Sequence, residues 1–326
     1  MRYRSFGNTG LQISELVFGG GAVGGLLIDQ DDDTKRRAIQ RALGSGINWI
    51  DTAPSYGQGR SEEALGWLLA ELPEPPHVST KVVIDTGDLT DIAGQVEASL
   101  TESLRRLRRE CVTLLQLHNR IGPKTDGRAM AADDVLKAGG ALDALEAVQR
   151  QGLTEHFGIT ALGETASILR VIDSGRMASA QVYYNLLNPS AGRAVPGRWP
   201  VFDFHGVLDA CARNGVAAMN IRVLSAGVIA TDRRTGRERP LTPGDSVESE
   251  AAKAAAVFGA LGEGYGTRAQ TAIRFALAEP RLSCVVFGLA ELAHLEEALA
   301  AAEMGPLDAA ALNEIDLVYQ RGTTSS

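Results

Sequence analysis

The sequence predicts an α/β protein folded as a single (β/α)8 TIM barrel with an N-terminal β-hairpin, and three observations lead there. Eight short apolar runs of strand length recur along the 326 residues. Amphipathic stretches of helical period separate most of them. Asp51, Tyr56, Lys81 and His118 each stand at or just past the end of such a run. Strand alternating with helix eight times is the pattern of a closed parallel barrel, and the loops at its strand ends carry the chemistry on one rim.

Taken in order, Tyr3-Arg4-Ser5-Phe6, Gly7-Asn8-Thr9-Gly10 and Leu11-Gln12-Ile13-Ser14 read as strand, turn and strand. This hairpin over residues 3–14 is expected to plug the far end of the barrel. Strands are expected at 16–19, 48–52, 77–82, 113–118, 156–160, 180–184, 216–221 and 284–287. Helical patterns lie at 34–43, 61–69, 91–107, 141–151, 164–173, 205–213, a long 246–277 region and 291–301. In 91–107, Val96, Leu100, Leu104 and Leu107 recur three and four apart, an apolar stripe for one helix face. Three connections, 119–140, 185–204 and 224–247, are too long to be mere links, and they follow strands four, six and seven on the active rim. The third carries Arg233, Arg234, Arg237 and Arg239, either a solvated surface loop or a flap that closes on an anionic cofactor. No linker divides residues 1–326, and 321–326 read as a frayed tail.

Composition narrows the function. A formal charge of -8 and a pI near 5.3 argue against a nucleic-acid partner, which asks for a basic face. Cys111, Cys211 and Cys284 are few and unclustered, and the five histidines lack ligand spacing, so neither a disulfide framework nor a metal site is expected. No stretch has the length of a signal-peptide core or a membrane span. A cytoplasmic protein acting on a small molecule is the expectation.

Gly19-Gly20-Gly21-Ala22-Val23-Gly24 satisfies the dinucleotide pattern G-x-G-x-x-G after a strand. That fingerprint also needs a helix opening at its last glycine to receive the pyrophosphate. Asp29, Asp31, Asp32 and Asp33 soon follow, and carboxylates repel a pyrophosphate. They suit the N-terminal cap of the helix from Thr34 onward. The glycines are read instead as a flexible loop that lets a ligand approach the rim.

Tyr56 alone is an ordinary loop tyrosine and Lys81 alone a surface lysine. Together with Asp51 and His118 they form a proton-transfer set. An ammonium beside a phenol favours its deprotonated form, so the phenol can exchange a proton near neutral pH. Asp51 is expected to pair with Lys81, and His118 to orient a carbonyl oxygen or share the proton. His77, His156, His205 and His294 lack such company and read as structural.

Trp49-Ile50-Asp51-Thr52-Ala53-Pro54-Ser55-Tyr56-Gly57, Ser61-Glu62-Glu63-Ala64-Leu65-Gly66, Ser79-Thr80-Lys81 and Leu115-Gln116-Leu117-His118 resemble the motifs of the aldo-keto reductases, in their order and spacing. Gln181-Val182-Tyr183-Tyr184-Asn185 and Ala269-Gln270 fit as well, so the likeness runs from Tyr3 to about Ala302. The resemblance implies an NAD(P)(H)-dependent oxidoreductase that moves a hydride between nicotinamide and an aldehyde, ketone or aldose. Tyr56 would be the general acid or base, Lys81 and Asp51 would tune it, and His118 would position the carbonyl. It places cofactor contacts at Gly20, Thr160, Gln181, Ile221, Leu224, Gly227, Gly288, His294 and Glu297. Substrate contacts are expected at Tyr56 and His118, and Trp199 of the second long connection reads either as a pocket wall or as a buried loop anchor. A regulatory subunit of the same fold, binding cofactor with negligible turnover, is the alternative.

The departures from the family pattern also inform. Thr160-Ala161 stands where Ser-Asn is common, and Ile221 where an aromatic often stacks on the nicotinamide. These variants lean towards the aldose and galactose dehydrogenase branch. Gly288-Leu289-Ala290 replaces the basic and hydroxyl residues of NADP-selective members, and His294 replaces an arginine. A 2′-phosphate buried without a cationic partner is costly, so the preference leans to NAD. Arg268 is the residue left to hold such a phosphate.

Overall fold

The computed structural model describes residues 1–21, 23–232 and 245–322. A hairpin comes first, β1 (Tyr3–Ser5) paired antiparallel with β2 (Gln12–Ser14). β3 (Leu16–Gly19), α1 (Leu26–Asp29), α2 (Asp32–Gly44), β4 (Trp49–Asp51), α3 (Arg60–Ala70), β5 (His77–Val82) and α4 (Ile92–Leu107) follow. After β6 (Val112–Leu117) come the short β7 (Arg120–Gly122) and β8 (Ala129–Ala131), then α5 (Ala132–Leu136) and α6 (Ala141–Arg150). Next are β9 (Thr154–Ala161), α7 (Thr165–Ile172), β10 (Ser179–Tyr183), α8 (Val207–Arg213) and β11 (Ala217–Ile221). The chain ends with α9 (Val247–Leu261), α10 (Arg268–Leu277), β12 (Leu282–Gly288), α11 (Leu292–Met304) and α12 (Ala309–Arg321).

β3, β4, β5, β6, β9, β10, β11 and β12 close, in that order, into one barrel. All eight neighbouring pairs are parallel. These are the eight runs expected from sequence, each shifted by no more than two residues at an end. Both faces of every strand are covered, by helices outside and packed side chains inside, so the strands read as near-continuous apolar runs. The register sets the rim: Gly19 pairs Asp51, Asp51 pairs Ser79, Lys81 pairs Gln116 and Thr160 pairs Gln181.

The main core lies between strands and helices. α4 buries Ile92, Val96, Leu100, Leu104 and Leu107 on the face its periodicity defines, and Asp91 caps it by accepting Gly94 N–H at 2.8 Å. The acidic run before α2 acts as expected, with Asp31 accepting the Thr34 N–H at 2.8 Å. Two readings need correction. One turn of helix, α1, does follow Gly25, but its Leu26, Leu27 and Ile28 are buried as packing. The region expected as one long helix is two, α9 and α10, parted where Gly262 takes φ +66° and Thr267 opens α10 with a capping box.

α12 was not read from the sequence. Its Tyr319 is buried and donates to the Leu186 carbonyl at 2.9 Å, while Asp316 pairs Arg193 at 2.6 Å. The expected tail thus begins inside a helix at Arg321, and residues 323–326 lie outside the described residues. So do Ala22 of the glycine run and Arg233, Arg234, Arg237 and Arg239 of the third long connection. Among the described residues no helix is long and apolar enough to cross a membrane.

A second apolar cluster fills the barrel at the end opposite the catalytic rim. Phe6 and Ile13 of the hairpin meet Val17, Trp49, Leu114, Ala217, Met219 and Cys284 from five barrel strands. Phe6 lies 4.8 Å from Trp49, ring to ring, and is fully buried. Truncating a buried phenylalanine loses its transfer free energy and leaves a cavity. Phe6→Ala is therefore expected to cost about 3–5 kcal/mol in denaturant unfolding, and a loss below about 1 kcal/mol would show that the hairpin does not support the barrel.

Candidate active site

At the rim the chain brings Asp51, Tyr56, Lys81 and His118 together. Asp51 ends β4 and Lys81 is the penultimate residue of β5; their side chains are 4 % and 1 % exposed and meet at 2.7 Å. An ammonium has three protons to place. Lys81 gives them to Asp51 Oδ2 at 2.7 Å, to the Thr52 carbonyl at 2.7 Å and to Tyr56 OH at 3.2 Å. Lys81 is therefore not a surface lysine.

Asp51 is equally engaged. Its Oδ1 accepts the Ser79 hydroxyl at 2.7 Å and the Gln181 amide at 3.0 Å. Ser79 in turn accepts the Trp49 indole N–H at 3.0 Å. Trp49, Asp51, Ser79 and Lys81 all point into the barrel because side chains on one face of a strand alternate. Burial opposes the Lys81 charge, but Asp51 and Tyr56 outweigh it and hold the ammonium's pKa above its ordinary value. Lys81 stays cationic.

Tyr56 reaches this point from a tight loop. Gly57, Gln58 and Gly59 all take positive φ, at +61°, +57° and +91°. Two of these three left-handed positions are glycine, which adopts them without steric cost. Ser61, the second residue of α3, binds the loop by donating its N–H to the Tyr56 carbonyl at 3.3 Å and its hydroxyl to the Gly20 carbonyl at 3.0 Å. Glu62 beside it is fully buried, accepting Thr80 Oγ1 at 2.5 Å and Arg106 Nε at 2.7 Å. Sequence reasoning saw Ser61 and Glu62 only as motif letters. Each ties α3 to the rim, and the signal was an acid two residues into a helix with Arg106 free on α4 to meet it.

His118 follows β6 and faces Tyr56 edge-on, ring centroids 6.3 Å apart. Asn119 fixes its base by exchanging two hydrogen bonds of 2.8 Å with the Ile84 backbone. Burial, then the charges of Lys81, Arg222 and Arg128, push the His118 pKa down to about 3. The ring is thus neutral at ordinary pH. Of the two roles read from sequence, holding a carbonyl oxygen with a neutral ring N–H fits this, and sharing the proton as imidazolium does not.

The remaining residues read from sequence spread over the rim. Thr160 and Gln181 are buried neighbours on β9 and β10, with Thr160 Oγ1 donating to Gln181 Oε1 at 3.4 Å. Gln181 keeps a second amide proton and a second lone pair, a donor and an acceptor of the kind a nicotinamide carboxamide needs. Ile221 ends β11, and Leu224 and Gly227 line the turn beyond it. A Cβ added to Gly288 would meet nothing within 4 Å, so this rim edge is open to a ligand. These residues fit a nicotinamide dinucleotide.

Two further positions, Gly20 and Trp199, are enclosed by the protein's own packing. Gly20 is buried, and a Cβ there would lie 2.7 Å from Ser61 Oγ, so the protein's own packing demands the glycine. Trp199 is 1 % exposed; its indole N–H donates to the Leu187 carbonyl at 2.9 Å and its ring packs 5.1 Å from Tyr319. It anchors its loop on α12 and offers no face to a substrate. His294 is tied at Nδ1 by the Ala290 N–H at 3.2 Å, with Glu291 3.4 Å from Nε2, and Glu297 accepts the Thr267 hydroxyl.

The profile described as "Aldo/keto reductase family" matches residues 15–320 of this geometry. The chain belongs to that family. Family members are oxidoreductases that use NAD(P)H on carbonyl and alcohol groups, and so is this protein. It is 26 % identical to L-galactose dehydrogenase of Arabidopsis thaliana, over 97 % of this chain and 94 % of that one. It is 29 % identical to D-threo-aldose 1-dehydrogenase of a Pseudomonas species, over 70 % and 71 %. An aldo-keto reductase of Bacillus halodurans superposes with a TM-score of 0.74 at 22 % identity, covering 100 % of this chain and 97 % of that one, which shows the shared barrel.

The His118 pKa also has a consequence for stability. Unfolded, the ring titrates near its ordinary 6.5; folded, near about 3. Below 6.5 the unfolded state binds the extra proton, so the stability held above pH 6.5 is lost as pH falls towards 3. His118→Gln removes that term. Between pH 6.5 and 4.5 the parent should lose more stability than the variant, by up to about 1.4 kcal/mol per pH unit. Parallel denaturation curves for the two proteins would contradict a neutral buried His118.

Proposed function

We propose that Tyr56 is the general acid and base of this oxidoreductase, with Asp51, Lys81 and His118 as its supporting residues. One observation carries the reading: the Lys81 ammonium is fixed by three partners, and the outermost of them is the Tyr56 hydroxyl at 3.2 Å. When bound, NAD(P)H supplies the hydride that reaches the carbonyl carbon. In the reductive direction Tyr56 gives its proton to the carbonyl oxygen, and the phenolate left behind stays beside a fixed positive charge. Neutral His118 donates to the same oxygen and orients it. Oxidation of an alcohol or a sugar hemiacetal runs the same proton path in reverse.

Aldoses are the substrates we favour within the aldehyde, ketone and aldose range, supported by full-length similarity to L-galactose dehydrogenase and partial similarity to D-threo-aldose 1-dehydrogenase. Tyr56→Phe removes the proton and keeps the ring. Turnover should fall about 10²–10⁴-fold, while the dissociation constant for NADH, read by fluorescence titration, stays nearly unchanged. Turnover within about threefold of the parent would refute the role. Lys81→Met is expected to be similarly inactive.

For the cofactor we favour NAD over NADP. Arg268, at the start of the helix that precedes the late strand, already lies over the Phe258 ring at 5.0 Å and 3.9 Å from Asp232. His294 has Glu291 beside it. A 2′-phosphate would have to displace these contacts. Titration with NADH and NADPH in one buffer is expected to show tighter binding of NADH. An NADPH constant tenfold tighter, about 1.4 kcal/mol, would reverse the assignment.

A further inference from the structure

Three arginines stand around the catalytic rim with no part in the proton path. Arg222 follows β11 in the left-handed region at φ +63°, an unfavourable conformation for a residue with a Cβ. Asn185 Nδ2 holds it there by donating to its carbonyl at 2.8 Å. The guanidinium is partly buried and lies 5.3 Å from the Tyr183 ring centroid. Arg120 and Arg128 come from the β7–β8 ribbon that directly follows His118, joined by an Arg120 N–H to Arg128 carbonyl bond of 3.1 Å.

Among the described residues none of these three guanidiniums is in an ion pair. Glu250 is a carboxylate within electrostatic reach of Arg222, and it accepts the Ser225 hydroxyl at 2.9 Å. Lowering a cation towards other cations costs desolvation and repulsion, which an anionic ligand can offset. The position of the charge indicates which ligand. β11 and β6 stand on different sides of the barrel, separated by β9 and β10. Yet Arg222 feels Arg120, and Arg222 and Arg128 both act on His118. The Arg222 guanidinium lies over the Tyr183 ring at the end of β10, on the side of β11 away from β12 and its open edge at Gly288, and its charge acts on His118.

We propose that Arg222 pairs with an anionic group on the substrate, so that the preferred carbonyl compound carries a carboxylate or a phosphate, with Arg120 and Arg128 adding attraction from the ribbon. This rests on the oxidoreductase reading above and names the substrate class of the same site. A bidentate guanidinium–oxyanion contact would fix the substrate's far end while His118 and Tyr56 hold its oxygen.

Two matched pairs test it: 4-oxobutanoate against butanal, and glyceraldehyde 3-phosphate against glyceraldehyde, with the parent protein, Arg222→Met and Arg128→Gln. The parent should favour the anionic member of at least one pair about tenfold or more in kcat/KM, chiefly through KM. The pair that shows the preference separates carboxylate from phosphate. Arg222→Met should bring the ratio to within about threefold, and Arg128→Gln, on the exposed ribbon, should lower it severalfold. Equal kcat/KM within both pairs for the parent overturns the proposal. So does a tenfold loss of NADH affinity in Arg222→Met, which would assign the arginine to the cofactor's phosphates. If no carbonyl compound turns over, the oxidoreductase reading fails, and calorimetric titration of the parent with malonate and with inorganic phosphate still decides the anion site. Saturable binding that Arg222→Met abolishes upholds it; no binding to either anion overturns it.

Discussion

The buried Asp51–Lys81 pair is the interaction on which the rest of this rim depends. Two charges taken out of water are stable only with good geometry and with their remaining hydrogen-bonding capacity satisfied. Here Lys81 spends all three protons and Asp51 receives three donors, from Lys81, Ser79 and Gln181. The partners come from β4 and the loop after it, from β5 and from β10, so the full set forms only once these three strands are in register. The same bonds that stabilise the charges therefore also fix Tyr56 and Gln181 relative to each other.

Around that pair the barrel divides its tasks between its two ends. The end covered by the hairpin is an apolar layer around Phe6 and Trp49. The rim is polar and cationic. Trp49 joins the two, since its ring packs on Phe6 while its indole N–H starts the chain through Ser79 to Asp51. Packing at one end thus sets the angle of a hydrogen bond that supports the other. α3 works similarly from outside, with Ser61 holding the Tyr56 loop and Glu62 linking Thr80 to Arg106.

Electrostatics then acts on the two aromatic side chains that meet at the rim, Tyr56 and His118. Lys81 donates to the Tyr56 hydroxyl, and its charge adds to burial in suppressing an imidazolium at His118. One cation thereby binds the phenol and, together with burial, keeps the histidine neutral.

Periodicity and motif order made the fold legible from residues alone. The eight strands are buried on both faces and so appear as apolar runs, and Asp31 and Asp91 announce their helices because caps are local. The four chemical residues were legible because a parallel barrel puts every strand end on one rim. Local signals did not reveal α12, whose burial depends on Trp199 and the loop it anchors, or the break at Gly262. Gly20 shows the same limit: a glycine required by a neighbouring Ser61 hydroxyl looks identical in sequence to one required by a ligand. The sequence by itself determined which residues could do chemistry and on which rim. Only the tertiary structure decided that Lys81 is fully engaged, that His118 is neutral and that the Arg222 guanidinium lies over Tyr183, because burial and charge proximity arise between strands far apart in the chain.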